Sequence, residues 1–331
     1  MGKEPAVSVP DTSPLDSTTR SMDPATFWRH HPGAAVLRLP TPTWRHRGNV
    51  NLPLLASTSS VDGTGPLDFP GAGPDATMDT FAFEARPGAK VRYVGVAALK
   101  GKVPEAFLIY FRHSVKEKDF QGEHKLLETG VGDYFIGRMQ VCRQVLRSGK
   151  NVAVILPIAV GGAGEFASSQ AFVEQCLTEI SRELFPSLTT PLPLVLACNS
   201  DGIGELNKFV TSCPDLVKRV RAVYDFDGSF VLAQKGVTLA GIGSARVFRY
   251  NQGPQPAGAS PGMGASPRHV PLPYPRWSKH FNFVPAWQTE PANPKTTAAR
   301  RSQIVKEIQG YLHWFIPTCM LQHGLASTNG I

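Results

Sequence analysis

Three blocks in the middle of the chain are apolar without a break: residues 106–111, 152–158 and 192–198. Blocks this short, bounded by Gly, Pro and polar residues, predict strands buried on both faces, as in a parallel sheet covered by helices. Two segments before them, 80–85 and 90–99, alternate apolar and polar residues and predict further strands. Between the blocks the period changes. Residues 132–148 place Tyr134, Phe135, Met139, Val141, Cys142, Val145 and Leu146 at helical spacing, with Gly149 as the stop. A second helix is expected over 166–184, ending before Pro186, a third over 203–211 with a continuation near 215–219, and a last one over 297–315. Residues 219–227 and 245–251 read as strands. Strands alternating with helices of this length imply βαβ units and a mostly parallel sheet.

Two regions depart from this rhythm. Residues 1–76 are rich in Pro, Ser, Thr, Gly and Asp and carry only short apolar pieces, which predicts a loosely ordered arm rather than a second core. The remainder, 77–331, reads as one domain, interrupted by a Gly/Pro/Ala/Ser-rich stretch at 253–275 expected to be a long loop or lid. His30, His31 and His46 lie in the arm, where solvated histidines are the simpler reading than a metal site.

The third block ends in chemistry. Residues 192–202 run Leu-Pro-Leu-Val-Leu-Ala-Cys-Asn-Ser-Asp-Gly and lead into helical spacing. Strand, sharp turn, serine, helix is the form of a nucleophile elbow. A serine hydroxyl becomes a useful nucleophile only beside a base, and the helix that follows brings backbone N–H groups toward a developing oxyanion. The residue two before Ser200 is Cys198, where the motif usually has glycine.

A base and an acid to orient it are then required. Four histidines follow Ser200: His269, His280, His313 and His323. His313 falls inside the last predicted helix and reads as a packing residue; His323 lies in a polar tail; His269 is inside the Gly/Pro stretch. His280, after the last strand region and before the last helix, is the expected base, with His269 its main competitor. No Asp or Glu occurs between Gly228 and Thr289. That span excludes the commonest position of the acid and leaves Asp225 and Asp227, near a strand end. Asp227 is preferred because Gly228 marks the turn beyond the strand, and Asp225, on the same face by alternation, is the second choice. For the oxyanion, one backbone N–H is expected from Asp201 and another from Arg112 or His113, in the turn after the first apolar block. Arg112 is also a candidate to hold an anionic substrate group.

Over about residues 77–316 the chain resembles the α/β-hydrolase superfamily, through its element order, the Cys-Asn-Ser-Asp-Gly elbow, the Asp-Phe-Asp-Gly turn at 225–228 and the His-Phe-Asn-Phe-Val-Pro segment at 280–285. The resemblance implies a three-layer α/β/α sandwich with a mostly parallel central sheet. It also implies a serine hydrolase that works through an acyl-enzyme on a carboxylic ester, amide or thioester, without cofactor or metal. An ester is favoured over a peptide, as a small molecule or a polymer.

Composition narrows the alternatives. The net charge of +8 over 331 residues suits anionic partners or substrates, but the basic residues are scattered and form no nucleic-acid module. The five cysteines are widely spaced, with no C-x-x-C pair, so neither a disulfide framework nor a zinc site is expected. With no signal-peptide pattern and no run of 18 apolar residues, a cytoplasmic protein without a transmembrane helix is expected. Gly162 and Gly164 form a G-x-G-x-x-A pattern between a strand and a helix, the mark of a dinucleotide-binding protein, which is one alternative. A catalytically inactive binding protein on a hydrolase-like scaffold is the other. Trp277, Phe281, Phe283 and Trp287 are candidates to line a pocket.

Overall fold

The structure, a computed structural model, describes residues 77–84, 91–113, 141–228, 241–251, 268–271 and 293–331, with the short pieces 54–57 and 61–62 and isolated positions between 115 and 139. The strands are β1 (Leu54–Ser57), β2 (Val61–Asp62), β3 (Thr77–Glu84), β4 (Val91–Leu99), β5 (Ala106–Phe111), β6 (Val152–Ala159), β7 (Leu194–Asn199), β8 (Val220–Phe226), β9 (Arg246–Asn251) and β10 (Arg268–Pro271). The helices are α1 (Val141–Ser148), α2 (Glu165–Ser168), α3 (Gln170–Leu184), α4 (Gly202–Ser212), α5 (Pro214–Val217) and α6 (Ala298–Ala326).

All ten strands among the described residues form one sheet, in the order β1-β3-β4-β6-β5-β7-β8-β9-β10, with β2 also on β3. The first strands pair antiparallel, through β4 on β6. From β6 through β5, β7, β8 and β9 to β10 every pairing is parallel. The order doubles back at β5 and β6, so the chain crosses over the sheet there. Such a switch point opens a crevice beyond the carboxyl ends of the strands.

The three central blocks became strands because each has apolar side chains for two faces. Along β5, Ala106, Leu108 and Tyr110 belong to one buried cluster, and Phe107, Ile109 and Phe111 to the other. The first cluster continues into Val141, Cys142 and Val145 of α1 and Ile316, Met320 and Leu321 of α6. The second continues into Val173, Leu177 and Ile180 of α3 and Ile203, Leu206 and Phe209 of α4. A strand period of two therefore feeds two cores, one on each side, giving a three-layer α/β/α sandwich. Local chemistry starts the helices: the Ser169 hydroxyl accepts from the Phe172 N–H at the head of α3, and that of Thr297 from the Arg300 N–H at the head of α6.

The helix expected over 166–184 is two, α2 and α3, that expected over 132–148 is described as a helix from Val141, and three further elements differ from the sequence expectations. The stretch at 253–275 contains strand β10, paired parallel with β9; the rest of it is outside the described residues. Residues 54–57 and 61–62 of the arm pair with β3 and extend the sheet. The last helix runs to Ala326, well past 315, with Pro317 inside it. Proline lacks the N–H that would bond the His313 carbonyl. At this break α1 takes over: the Gln144 side-chain N–H₂ donates to the Pro317 carbonyl at 2.9 Å, and its oxygen accepts from the Gln322 N–H at 3.3 Å. Further along, the Tyr250 hydroxyl meets His323 Nδ1 and the Tyr224 hydroxyl meets Thr328 Oγ1, both at 2.8 Å, fastening α6 to the sheet. No described helix is long and apolar enough to cross a membrane.

Candidate active site

Ser200 follows the last residue of β7 and has φ 53°, in the left-handed region. A side chain there is strained, because Cβ crowds the backbone, at a cost of about 1–2 kcal/mol. The turn is held from both sides. The Ser200 N–H donates to the Phe226 carbonyl of β8 at 3.3 Å, and the Ile203 N–H donates back to the Ser200 carbonyl, also at 3.3 Å. Gly202 is required by close approach: a Cβ there would stand 2.2 Å from the Phe111 carbonyl oxygen and 2.9 Å from that of Arg112. The head of α4 thus sits directly on the end of β5.

Asp227 occupies the equivalent place one strand over, just past β8, with φ 58°. Its N–H donates to the Tyr250 carbonyl of β9 at 2.7 Å. Its side chain is fully buried. Ser200 and Asp227 are the two non-glycine residues with positive φ among the described residues.

The imidazole between them is that of His313. Its Nε2 lies 2.9 Å from Ser200 Oγ, and its Nδ1 lies 2.7 Å from Asp227 Oδ2. A carboxylate only accepts, so the neutral ring carries its proton on Nδ1 and turns the Nε2 lone pair toward the serine hydroxyl. The residue expected to be a packing group, His313, thus stands against Ser200 and Asp227; the preferred base, His280, is outside the described residues together with Trp277, Phe281, Phe283 and Trp287. His269 is on β10, in register with Arg249 of β9. His313 was passed over because a lone histidine in the apolar helical run 311–316 looks like core. Pro317 was the available signal: a proline four residues on removes a main-chain donor from the turn that carries the imidazole.

Asp225, the second-choice acid, is buried beneath the turn. Its Oδ1 accepts from the Gly228 N–H at 2.9 Å and lies 3.9 Å from Cys198 Sγ. Burial, and then the Asp225 charge, push the Cys198 thiol well above the usual range, so the elbow cysteine is an inert packing group. Arg249 is also buried; burial lowers its pKa and the nearby Asp225 charge opposes that fall. Alternation placed Asp225 and Asp227 on one face, but the strand ends at Phe226 and the left-handed turn sends them to different partners.

The Arg112 guanidinium donates to the Ala159 carbonyl of β6 at 3.2 Å and is buried, with its pKa lowered by desolvation. Through that bond it braces the end of β5 against β6. His113 Nδ1 meets the Tyr134 hydroxyl, and that hydroxyl lies 3.3 Å from Asn199 Oδ1. The G-x-G-x-x-A loop follows β6, a mid-sheet strand. The space over Gly162 is taken by Glu205, whose carboxylate oxygen would lie 2.6 Å from a Cβ there. A carboxylate against that loop opposes the pyrophosphate that the dinucleotide-binding reading requires. Cys142, Cys176, Cys198 and Cys213 are free and buried. No cluster of three or more metal-ligating side chains occurs among the described residues.

The chain is similar in structure to an esterase described as rice cell wall degrading, LipA from Xanthomonas oryzae (15% identity, TM-score 0.36, covering 55% of this chain and 51% of that one). It is also similar to a dienelactone hydrolase-like promiscuous phosphotriesterase from metagenomic libraries (11%, 0.34, covering 73% and 98%) and to lipase A from Candida antarctica (9%, 0.26, covering 49% and 44%). The chain spans about half the length of the LipA structure, 51%. No family model and no curated protein matches it. Likenesses of this size bear on no residue of the site.

Proposed function

We propose that this chain is a serine hydrolase that cleaves a carboxylic ester through an acyl-enzyme on Ser200, with His313 as the base and Asp227 orienting it. The supporting observation is the unbroken series from Ser200 Oγ to His313 Nε2 at 2.9 Å and from His313 Nδ1 to Asp227 Oδ2 at 2.7 Å. The chain order of serine, aspartate and histidine is that of α/β-hydrolases.

The steps follow from this geometry. His313 Nε2 takes the Ser200 proton as Oγ attacks the ester carbonyl carbon. Asp227 stabilises the imidazolium and holds its tautomer. The backbone N–H groups of Asp201 and of Arg112 or His113 receive the oxyanion, because the head of α4 lies on the end of β5; losing one such donor costs about 100- to 1000-fold in rate. His313 then hands the proton to the leaving alkoxide, and the acyl group remains on Ser200. Water, deprotonated by the same imidazole, attacks the acyl carbon; the bond to Ser200 Oγ breaks, the imidazolium returns the proton to that oxygen, and the acid is freed. A net charge of +8 suits a small-molecule or polymeric ester with anionic character.

The test is labelling with a fluorophosphonate probe and turnover of p-nitrophenyl butyrate. Label is expected on Ser200, with label and turnover both lost in Ser200→Ala. Label on another serine, or full turnover by Ser200→Ala, overturns the proposal.

A further inference from the structure

Tyr134 is almost wholly buried (2% exposed) and lies between two parts of the site. On one side its hydroxyl meets His113, two residues beyond β5, in the turn assigned above to the oxyanion. On the other it meets Asn199, the buried residue that immediately precedes the strained Ser200. The direction of these bonds follows from the groups. The Asn199 side-chain oxygen only accepts, so the Tyr134 O–H donates to it, and the Tyr134 oxygen then accepts from the N–H of His113 Nδ1. The ring is held independently of the hydroxyl: it packs edge-on against Tyr110 of β5 with centroids 5.7 Å apart, and at 33° to the His113 ring at 5.8 Å.

We infer that Tyr134 is a positioning residue that sets the gap between the oxyanion turn and the nucleophile elbow through its hydroxyl. The inference rests on the serine-hydrolase reading above. Its physical basis is that an oxyanion hole works only when two amides from different segments converge on one point, and a displacement of about 1 Å costs on the order of 100-fold. β5 and β7 are neighbours in the sheet, but their pairing ends at Phe111 and Cys198. Beyond that point the Tyr134 bridge adds a side-chain link between the two turns, beside the main-chain approach of Gly202 to Phe111.

Tyr134→Phe removes the hydroxyl and keeps the ring. The experiment uses p-nitrophenyl butyrate turnover and inhibition by an alkylboronic acid, whose tetrahedral Ser200 adduct mimics the oxyanion. The variant is expected to lose about 10- to 100-fold in kcat with KM changed less than about 3-fold, and the same factor in boronate affinity. Thermal unfolding is measured in parallel, and His113→Phe, which keeps a ring against Tyr134 but has no N–H to donate, is the second variant if Tyr134→Phe does not fold. It is expected to show the same parallel loss. Unchanged boronate affinity in a folded variant, whatever happens to kcat, overturns the inference. The underlying reading fails separately, and visibly, if Ser200→Ala still turns over the ester in the wild-type background.

Discussion

The turn after β6 and the turns after β7 and β8 open on the same edge of the sheet, and all three need left-handed backbone. After β6 the need is met by glycine: Gly161, Gly162 and Gly164 have φ of 78°, 131° and 53°. After β7 and β8 it is met by Ser200 and Asp227, at 53° and 58°. Glycine would fit those two places with less strain. The contrast separates a loop that only has to turn from loops that must turn and present a functional group. Strain of this kind persists where surrounding contacts over-determine it, and here each strained residue is bonded to the next strand.

The comparison breaks most visibly at Ser200. Ser200→Ala should lower kcat by about 10⁵- to 10⁶-fold, measured with p-nitrophenyl butyrate. Ser200→Gly should be equally inactive but more stable than Ser200→Ala by about 1 kcal/mol, or about 2–4 °C in Tm, because only the glycine relieves the left-handed turn. Equal melting points would show that the turn stores no strain.

The two aspartates give the next largest contrast. Asp227→Asn should cost about 10⁴-fold in kcat with little change in Tm, since the amide can present an N–H where the ring needs an acceptor. Asp225→Asn should act in the opposite sense. It leaves kcat within about 10-fold but costs about 3 kcal/mol in chemical denaturation, by leaving the buried Arg249 charge without its counter-charge. A reversal of these two patterns would exchange the roles given to the two carboxylates.

Gly202→Ala would drive a methyl group into the Phe111 carbonyl, backbone that cannot step aside. It should destabilise by about 3 kcal/mol, seen as a lower denaturation midpoint. The smallest effect belongs to the glycine turn. Gly162→Ala combines φ 131° with a contact to Glu205, which is a side chain and can yield. A loss of about 1–2 kcal/mol with unchanged kcat is expected, and a large fall in kcat would move that loop into the site.

How much of this could be read from the residues depended on whether a signal was local. Continuous apolar blocks such as 106–111 announce buried strands because both faces must be apolar, and the small, polar elbow residues around Ser200 stand out against them. Asp227 emerged from the absence of any other carboxylate over a long span. His313 did not emerge, because its neighbours Leu312, Trp314 and Phe315 obey helical spacing and only its three-dimensional contacts with Ser200 and Asp227 set it apart from a core residue. Strand β10 was hidden for a related reason: four residues amid Gly and Pro carry too little pattern, and parallel pairing with β9 makes them a strand. The Tyr134 bridge joins residues 21 and 65 positions apart, a separation at which no periodicity speaks.

The ladder of main-chain bonds does not stop where the strands do. Ser200 hangs from Phe226 on the neighbouring strand, and Asp227 hangs in turn from Tyr250 on the one after. The sheet therefore acts as a ruler for the chemistry. A slip of β9 by a single residue, about 3.3 Å, would be carried inward strand by strand until hydroxyl, imidazole and carboxylate fell out of line.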